Sequence, residues 1–427
     1  MKKIAIVFYY HKHNFYSLNA IAGALETDEI FEKVDFYFNN SVDRLLETLN
    51  KLVKSPVKIV VGISFFTTQL FETYELIQKI KSKYYGKCLL VAGGAHPTGD
   101  PVGTLEMGFD VVVVGEGEET IINLIKNLDQ KKKLSEVKGI AYYDFESNYK
   151  FAGKRALIDL NAYPPFPVKN IRFGAIEITR GCPYVCYFCQ TPYISGTTPR
   201  HRSIENICEY VKELHNYYGD LTDIRFITPN AFSYGSKDGK TLNLDLLKNL
   251  LINIRNIIGP KGRIYIGTFP SEVRPEHVTL DTLNLVLQYG DNDNITIGAQ
   301  SGSQKVLDFC HRGHTVEDIY KAVELTLEKG LKINADFIFG LPGEDDEAVK
   351  QTVDMMHNLA NQGARIHSHT FIPLPQTPFS GERSKKVHEA YKNEMSNLIS
   401  KGLAFGNWKS QEKFAKKITR YLKNKKI

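Results

Sequence analysis

The sequence lacks any long apolar run. No stretch of its 427 residues approaches the roughly 20 consecutive apolar residues of a membrane-spanning helix. The apolar start of the chain reaches His11 too soon for the hydrophobic region of a signal peptide. We therefore expect no membrane span and a cytoplasmic location.

The net charge is small over most of the chain. The formal charge is +6, but residues 401–427 hold nine Lys or Arg and one acidic residue, so they carry +8 and the other residues carry −2. A body of this charge is not typical of nucleic-acid-binding proteins, so nucleic acid is not expected as a partner. The basic tail has apolar residues at helical spacing, which predicts an amphipathic helix packed on the body, with contact to a polyanion as the alternative.

Cysteine is uncommon, with six residues in the chain. Because the cytosol keeps thiols reduced, these six do not indicate a disulfide framework. Cys88, Cys208 and Cys310 are scattered along the chain, whereas the other three fall within eight residues, in Gly181-Cys-Pro-Tyr-Val-Cys-Tyr-Phe-Cys189. This clustering indicates a shared chemical role.

The first 130 or so residues alternate between short Val/Ile-rich runs and amphipathic stretches. Five such βα units predict a doubly wound parallel sheet, which is a Rossmann-like α/β fold. The predicted strands cover residues 3–9, 34–38, 58–63, 88–91 and 111–114. Ligands of these sheets lie beyond the carboxyl ends of the strands. Small and hydroxyl residues occur there, namely Ser64, Thr67 and Thr68 after the third strand and Gly93-Gly94 after the fourth.

A second βα series follows a hairpin and a connector. Residues 139–153 are typical of a hairpin, and three prolines within residues 164–167 favour an extended linker. Six further βα repeats predict a partial TIM-type barrel with its chemistry at the carboxyl ends of the strands. Their strands are predicted at residues 175–179, 223–228, 263–268, 294–299, 332–339 and 365–372. The predicted divisions are residues 1–135, 136–170, 171–381 and 382–427, the last a short, basic and helical C-terminal extension.

The three clustered cysteines have C-x3-C-x2-C spacing directly after the first strand of the second series. Three thiolates on one loop can hold three irons of a cubane cluster and leave the fourth iron open for a substrate. A zinc site or three incidental cysteines are the alternatives. Zinc normally takes a fourth protein ligand, and none with the usual spacing follows.

This spacing, with an aromatic residue before the third cysteine, resembles the radical S-adenosylmethionine (SAM) superfamily. Other segments of residues 171–381 also resemble its core, namely residues 269–275, 298–303, 312–314, 340–344 and 373–378. The resemblance implies a 4Fe–4S cluster held by Cys182, Cys186 and Cys189.

The resemblance also implies where SAM binds. Phe188 would form a wall of the adenine pocket, and Gln300, Ser301 and Gly302 would lie along the ribose or methionine part. One departure concerns the second strand, which ends in Thr228-Pro-Asn230 where many members have Gly-Gly-Glu. The contact to the SAM amino group is therefore unassigned.

A βα domain directly before a radical SAM core resembles the cobalamin-binding domain of cobalamin-dependent radical SAM enzymes. The resemblance places Ser64, Thr67, Thr68, Gly93 and Gly94 along the nucleotide tail of cobalamin, where glycine allows a bulky ligand to approach the backbone. A scaffold domain that has lost its ligand is the alternative. His13 matches only one position of the Asp-x-His-x-x-Gly motif of histidine-ligating families, so we expect cobalt without a histidine ligand.

The resemblance implies an enzyme that transfers a methyl group to an unactivated carbon. Reductive cleavage of SAM would give a 5′-deoxyadenosyl radical, and an external donor such as ferredoxin or flavodoxin would supply the electron. The alternatives are a cobalamin-linked rearrangement, cyclisation or ring contraction, then an RNA methylthiotransferase or a cobalamin or redox sensor. Methylthiotransferases normally carry three further cysteines in their N-terminal domain, and residues 1–170 contain only Cys88.

Polar residues alternate along two predicted barrel strands. Asn334 and Asp336 share one face of the fifth strand, and His367 and His369 share one face of the sixth. We identify Asp336, His367 and His369 as candidate catalytic residues in contact with substrate, with ordinary hydrogen-bonded polar residues as the alternative. The substrate is a small molecule, a lipid or a peptide that the sequence does not identify.

Overall fold

The computed structural model describes residues 3–424. Its contacts divide this chain into two compact units, one ending at Gly174 and the other running from Ala175 to Asn424. Both units consist of parallel strands joined by helices, which confirms the predicted α/β class. No helix in the described part of the chain is long and apolar enough to cross a bilayer.

The first unit is built on one seven-stranded sheet with the order β2-β1-β3-β4-β5-β6-β7. Its strands are β1 (Ile4–Tyr9), β2 (Val34–Asn39), β3 (Lys58–Ser64), β4 (Leu89–Gly93), β5 (Val111–Val113), β6 (Ile140–Tyr143) and β7 (Tyr149–Phe151). Its helices are α1 (Phe15–Glu26), α2 (Val42–Leu52), α3 (Leu70–Tyr84), α4 (Ala95–Gly99), α5 (Pro101–Glu106) and α6 (Glu118–Gln130). The first five strands are parallel, as predicted.

Strands β1 and β3 are almost entirely buried because helices cover both faces of the sheet. The chain leaves β1 for β2 on one side and later returns to β3 on the other, so the strand order reverses between β1 and β3. In open α/β sheets this reversal opens a crevice at the carboxyl ends of the two strands, where ligands bind.

The predicted hairpin is formed by β6 and β7, and it extends the first sheet. Strand β6 pairs antiparallel with β5, with Val112 opposite Ala141. The sheet is therefore mixed at this edge. Strand β7 is exposed along its length, as expected for an edge strand.

The second unit is a partial barrel. Its strands are β8 (Ile176–Glu177), β9 (Thr179–Arg180), β10 (Arg200–His201), β11 (Asp223–Ile227), β12 (Arg263–Tyr265), β13 (Asn294–Gln300), β14 (Lys332–Phe339), β15 (Arg365–Thr370) and β16 (Ala404–Gly406). Its helices are α7 (Thr191–Ser195), α8 (Ile204–Tyr218), α9 (Leu244–Ile258), α10 (Leu280–Tyr289), α11 (Gln304–Phe309), α12 (Val316–Glu328), α13 (Asp346–Gln362), α14 (Glu389–Ser400) and α15 (Trp408–Asn424). All six predicted barrel strands are present.

Parallel pairing runs through two groups of strands, β8-β11-β12 and β13-β14-β15-β16. A parallel bridge between Val273 and Ile297 joins the segment after β12 to β13. The short pair β9 and β10 is antiparallel and lies apart from these groups.

Strand β14 shows which face points into the lumen. Its buried residues are apolar and alternate with the partly buried Asn334, Asp336 and Ile338. Phe339 on the apolar face stacks on Tyr391 of α14, with ring centroids 4.2 Å apart. The apolar face therefore packs against the helices, and Asp336 points into the lumen.

The C-terminal segment contains a strand in addition to the predicted helices. Strand β16 pairs parallel with β15, with Ile366 opposite Ala404, and so adds a seventh strand to the barrel. Helix α15 is amphipathic and buries Trp408, Ile418 and Tyr421, so the predicted packing of an end helix on the body is present. Three residues are too few for strand periodicity to stand out in a sequence.

Candidate functional site

The cysteine loop starts where β9 ends. Gly181 has a φ of 93°, and a Cβ on it would lie 2.3 Å from the carbonyl oxygen of Thr198, so only glycine fits at the start of this loop. The amide of Cys182 donates to Gly196 O at 3.0 Å, and the amide of Cys189 donates to Cys186 O at 3.0 Å. Cys186 is buried and the other two cysteines are partly buried.

The electrostatics of the loop suit a metal cluster. Burial and, after it, the neighbouring thiols raise the pKa of the Cys182 and Cys189 thiols above the usual value. Bound metal removes this penalty because it takes thiols as thiolates. A partly buried cation is already present: Arg312 Nη1 lies 3.6 Å from Cys186 Sγ, and Nη2 donates to Gly298 O at 2.8 Å. A loop of three thiols next to a guanidinium fits an anionic iron–sulfur cluster.

Two neighbouring segments hold the loop in place. Tyr187 donates its amide to Cys310 O at 3.0 Å, and its ring stacks on His311 at 5.3 Å. Its carbonyl accepts the amide of Phe379 at 3.2 Å. Phe188 packs against the apolar cluster around Cys310 and stays partly exposed, so it is available as the predicted wall of an adenine pocket.

The segment after β11 does not replace the missing Gly-Gly-Glu. Asn230 is buried, its side-chain oxygen accepts the amide of Arg274 at 3.2 Å, and its amide group meets His277 Nδ1. Because both ends of the Asn230 side chain already have partners, the contact to the SAM amino group stays unassigned.

The three residues predicted to follow SAM have different surroundings. Gln300 lies at an irregularity of β13, has a φ of 71° and is partly exposed. The hydroxyl of Ser301 is buried 3.1 Å from Thr352 Oγ1, and a Cβ on Gly302 would lie 2.7 Å from the backbone of α13. Gln300 is thus the side chain of this segment that can reach a ligand, whereas Ser301 and Gly302 pack the strand end on α13.

The predicted catalytic residues come together in the lumen. Pairing of β14 with β15 sets Asp336 opposite His367, and Asp336 Oδ1 lies 2.9 Å from His367 Nδ1. The His369 ring lies 4.3 Å from the His367 ring, and the His367 ring stacks on Phe405 at 4.4 Å. Burial lowers the pKa of His369, so its neutral form is favoured.

Sequence reasoning missed three neighbours of this group: Glu272, Phe405 and Gln411. Burial and the Asp336 carboxylate raise the pKa of Glu272, and His367 lowers it by a smaller amount. Gln411 Nε2 lies 3.4 Å from His369 Nδ1. Glu272 lies within a segment that resembles the superfamily, which is a signal that could have found it, whereas Phe405 lies on the unexpected strand β16 and Gln411 lies in the first turn of α15.

The crevice of the first unit lies where the strand order reverses, between β1 and β3. A pocket there is lined by residues that include Tyr9, Asn14, Ile63 and Gln69. Asn14 Oδ1 is buried and has no hydrogen-bond partner among the described residues. His13, which we expect not to bind cobalt, is exposed and directly precedes Asn14 in the chain.

The residues predicted along cobalamin lie at the ends of β3 and β4. Ser64 pairs with Gly93, and a Cβ on Gly93 would have only Val113 Cβ near it, at 3.9 Å. Gly94 has a φ of 98°, and a Cβ there would lie 2.7 Å from Ser64 Oγ. Open space at Gly93 and an unpartnered polar atom in the pocket fit a bulky, polar ligand.

The two threonines that follow β3 differ in whether their hydroxyls are available to a ligand. Thr67 Oγ1 lies 3.0 Å from His96 Nδ1 and is buried, whereas Thr68 is exposed. In the glycine-rich segment after β5, residues 115–118, Glu116 Oε2 accepts the amide of Ile158 at 2.8 Å.

Comparison with known proteins identifies both units. A family model described as the radical SAM superfamily matches residues 176–356, and one described as the B12 binding domain matches residues 2–125. Together they span more than two thirds of the chain. The chain therefore belongs to the radical SAM superfamily and carries a B12-binding domain ahead of the radical SAM domain.

More specifically, it is a cobalamin-dependent radical SAM enzyme, with a 4Fe–4S cluster, SAM and cobalamin as its cofactors. Cys182, Cys186 and Cys189 are the residues that fit the cluster, and the crevice between β1 and β3 is the candidate place for cobalamin.

Relatives of known sequence carry two kinds of name. An uncharacterized methyltransferase of Pyrococcus horikoshii is 27% identical over 336 residues, which is 74% of this chain and 69% of that protein. A tRNA-2-methylthio-N(6)-dimethylallyladenosine synthase of Bartonella bacilliformis is 24% identical over 309 residues, which is 70% of this chain and 61% of that protein.

Two solved structures share the fold. The radical SAM methyltransferase TsrM from Kitasatospora setae, solved with cobalamin and a [4Fe-4S] cluster, has a TM-score of 0.68 at 17% identity and covers 90% of this chain and 76% of its own. The cobalamin-dependent radical SAM enzyme OxsB, solved with aqua-cobalamin, has a TM-score of 0.66 at 18% identity over 83% of this chain. This chain spans about half the length of OxsB, with 52% covered.

Proposed function

We propose that the protein transfers a methyl group to an unactivated carbon of a small molecule, lipid or peptide. The observation that carries the proposal is the presence, in one chain, of a crevice between β1 and β3 and a three-cysteine loop beside Arg312. The methyltransferase name of the Pyrococcus relative supports it.

The bound cofactors supply the one-electron cleavage of SAM and the delivery of the methyl group. The chain's own residues have simpler tasks. Cys182, Cys186 and Cys189 hold the cluster, and Phe188 and Gln300 line the SAM site. A separate electron-carrier protein such as ferredoxin or flavodoxin provides the electron.

In the lumen, Asp336, His367 and His369 contact the substrate. The hydrogen bond from His367 to Asp336 fixes the imidazole so that Nε2 faces away from the carboxylate and is left for contacts in the lumen. The stacked Phe405 ring prevents the imidazole from turning.

The proposal is tested by following the methyl group of SAM. Reduced holoprotein is given SAM labelled in its methyl carbon, and the extracted corrinoid and nucleosides are measured by mass spectrometry. We expect label on the corrinoid with one S-adenosylhomocysteine formed per label. With a methyl-accepting substrate, S-adenosylhomocysteine and 5′-deoxyadenosine should form in equal amounts.

A rearrangement or ring-contraction enzyme gives a different pattern. If 5′-deoxyadenosine forms while no label reaches the corrinoid or any product, methyl transfer is wrong and that class replaces it. The Cys186→Ala variant should stop 5′-deoxyadenosine formation, whereas Cys208→Ala, which changes a cysteine on α8, should not.

A further inference from the structure

We propose that Asp336, His367 and His369 bind a divalent transition-metal ion in the lumen of the second unit. One ligand atom from each of the three residues lies within 4.8 Å of the other two. Two imidazole nitrogens and one carboxylate oxygen form a donor set that binds Zn²⁺ and related ions and leaves coordination positions open. The inference goes beyond the proposed methyl transfer and does not depend on it.

The backbone holds the three ligands in place. Asp336 and His367 are direct partners in the β14–β15 ladder, and His369 lies two residues farther along β15 on the same face. Residues on paired strands need no loop movement to come together. A site on rigid strands is more precise than a site on a loop.

Neighbouring side chains meet both imidazoles. Gln411 Nε2 can only donate and lies 3.4 Å from His369 Nδ1, so an ion at that nitrogen displaces it. The Phe405 ring lies parallel to the His367 ring within 11°, at 4.4 Å, and orients this imidazole. Groups that orient metal-binding histidines are a usual part of metal sites.

The Asp336 carboxylate, 2.9 Å from His367 Nδ1, supplies a negative charge to the three-residue group, which also favours a cation.

The test measures metal binding to the full chain without turnover. Cys182, Cys186 and Cys189 are changed to Ser so that the cluster loop does not compete, and Zn²⁺ uptake is measured by equilibrium dialysis with elemental mass spectrometry. We expect one Zn²⁺ per chain at micromolar free Zn²⁺. Co²⁺ added in place of Zn²⁺ should give the visible absorption bands of a low-coordinate N/O site.

Two variants and one control locate the ion. His367→Ala and His369→Ala should each abolish uptake at micromolar Zn²⁺. His357→Ala is the matched control, because His357 Nδ1 lies 3.1 Å from Glu394 Oε1 and this pair belongs to no three-residue group among the described residues. This control should bind Zn²⁺ like its parent.

Two results would overturn the inference: no Zn²⁺ uptake by the parent chain, or uptake that survives both histidine variants. In the first case the Asp336–His367 contact is a hydrogen-bonded pair only. Circular dichroism checks that each variant is folded, and His369→Gln replaces His369→Ala if the latter is not. Because labelled SAM reports on methyl transfer separately, failure of the metal site and failure of the proposed function are distinguishable.

Discussion

Arg312 lies against Cys186, with Nη1 3.6 Å from Sγ, and the Arg312 guanidinium is the partly buried cation of the cysteine loop. A positive charge next to an iron–sulfur cluster favours its reduced form. We therefore expect Arg312→Met to lower the reduction potential of the cluster by on the order of 50–100 mV, the effect of one nearby charge at an intermediate dielectric constant.

Redox titration followed by electron paramagnetic resonance measures this shift. Arg312→Lys is the control, since it keeps the charge and should stay close to the wild type. Equal potentials in the Met and Lys variants would show that the charge of Arg312 does not act on the cluster.

The assignment of the cluster to three cysteines predicts the iron content. Anaerobic reconstitution should give about four irons per chain, held by three thiolates with one iron open. Changing Cys182, Cys186 and Cys189 together to Ala should remove the iron and the cleavage of SAM. Cys310→Ala should keep both, because Cys310 contacts the loop through its backbone carbonyl. Iron retained in the triple variant would contradict the assignment.

Cobalamin binding is best tested at Gly93. A Cβ there would meet only Val113 Cβ, at 3.9 Å, so Gly93→Leu should block uptake of cobalamin, measured by absorbance, with little change in the thermal midpoint. Gly94 is a poorer position, since its φ of 98° strains any other residue whether or not a ligand binds. Gly381→Leu, at a second glycine with open space, is the control and should bind normally. Normal uptake by Gly93→Leu would favour the scaffold alternative.

Glu344 should make stability depend on pH. Burial raises the pKa of its carboxyl to about 7, although Tyr391 Oη donates to Oε1 at 2.7 Å and the Gly340 amide donates to Oε2 at 2.9 Å. The folded state then holds a proton that the unfolded chain loses near pH 4.5. The contribution of Glu344 to the free energy of unfolding is greatest below that pH and is lost as the pH rises to about 7. The loss is roughly 3 kcal/mol, since each pKa unit corresponds to 1.36 kcal/mol.

Urea unfolding between pH 5 and pH 8 checks this expectation. Glu344→Gln should flatten the pH dependence of the unfolding free energy, whereas Glu347→Gln, at an exposed position of α13, should leave it as in the wild type. An unchanged slope in Glu344→Gln would assign the pH dependence to other groups.

Much of this molecule follows from local patterns in the sequence. The strands of both units were predictable because continuous Val/Ile runs and period-two alternation are local signals, as β1 and β14 show. Asp336, His367 and His369 could be grouped because period two assigns faces and consecutive barrel strands are neighbours.

What the sequence could not supply are contacts set by distant parts of the chain. Ser301 packs on Thr352 and Asn230 pairs with His277, and neither partner is marked by spacing or composition. Strand β16 is held by pairing with β15 and not by its own three residues, so Phe405 could not be placed beside the histidines in advance. Tertiary pairing overrides local propensity in such short elements.

Strand β16 also determines how far this protein can be shortened. A chain ended at Gly381, where the predicted core stops, would leave β15 with a row of unpaired amide and carbonyl groups, which is a template for association with another molecule. It would also uncover the apolar face of β14 that Tyr391 and Trp408 now cover. A shortened protein that keeps this edge and this face covered must therefore retain the chain through Tyr421, the last buried residue of α15.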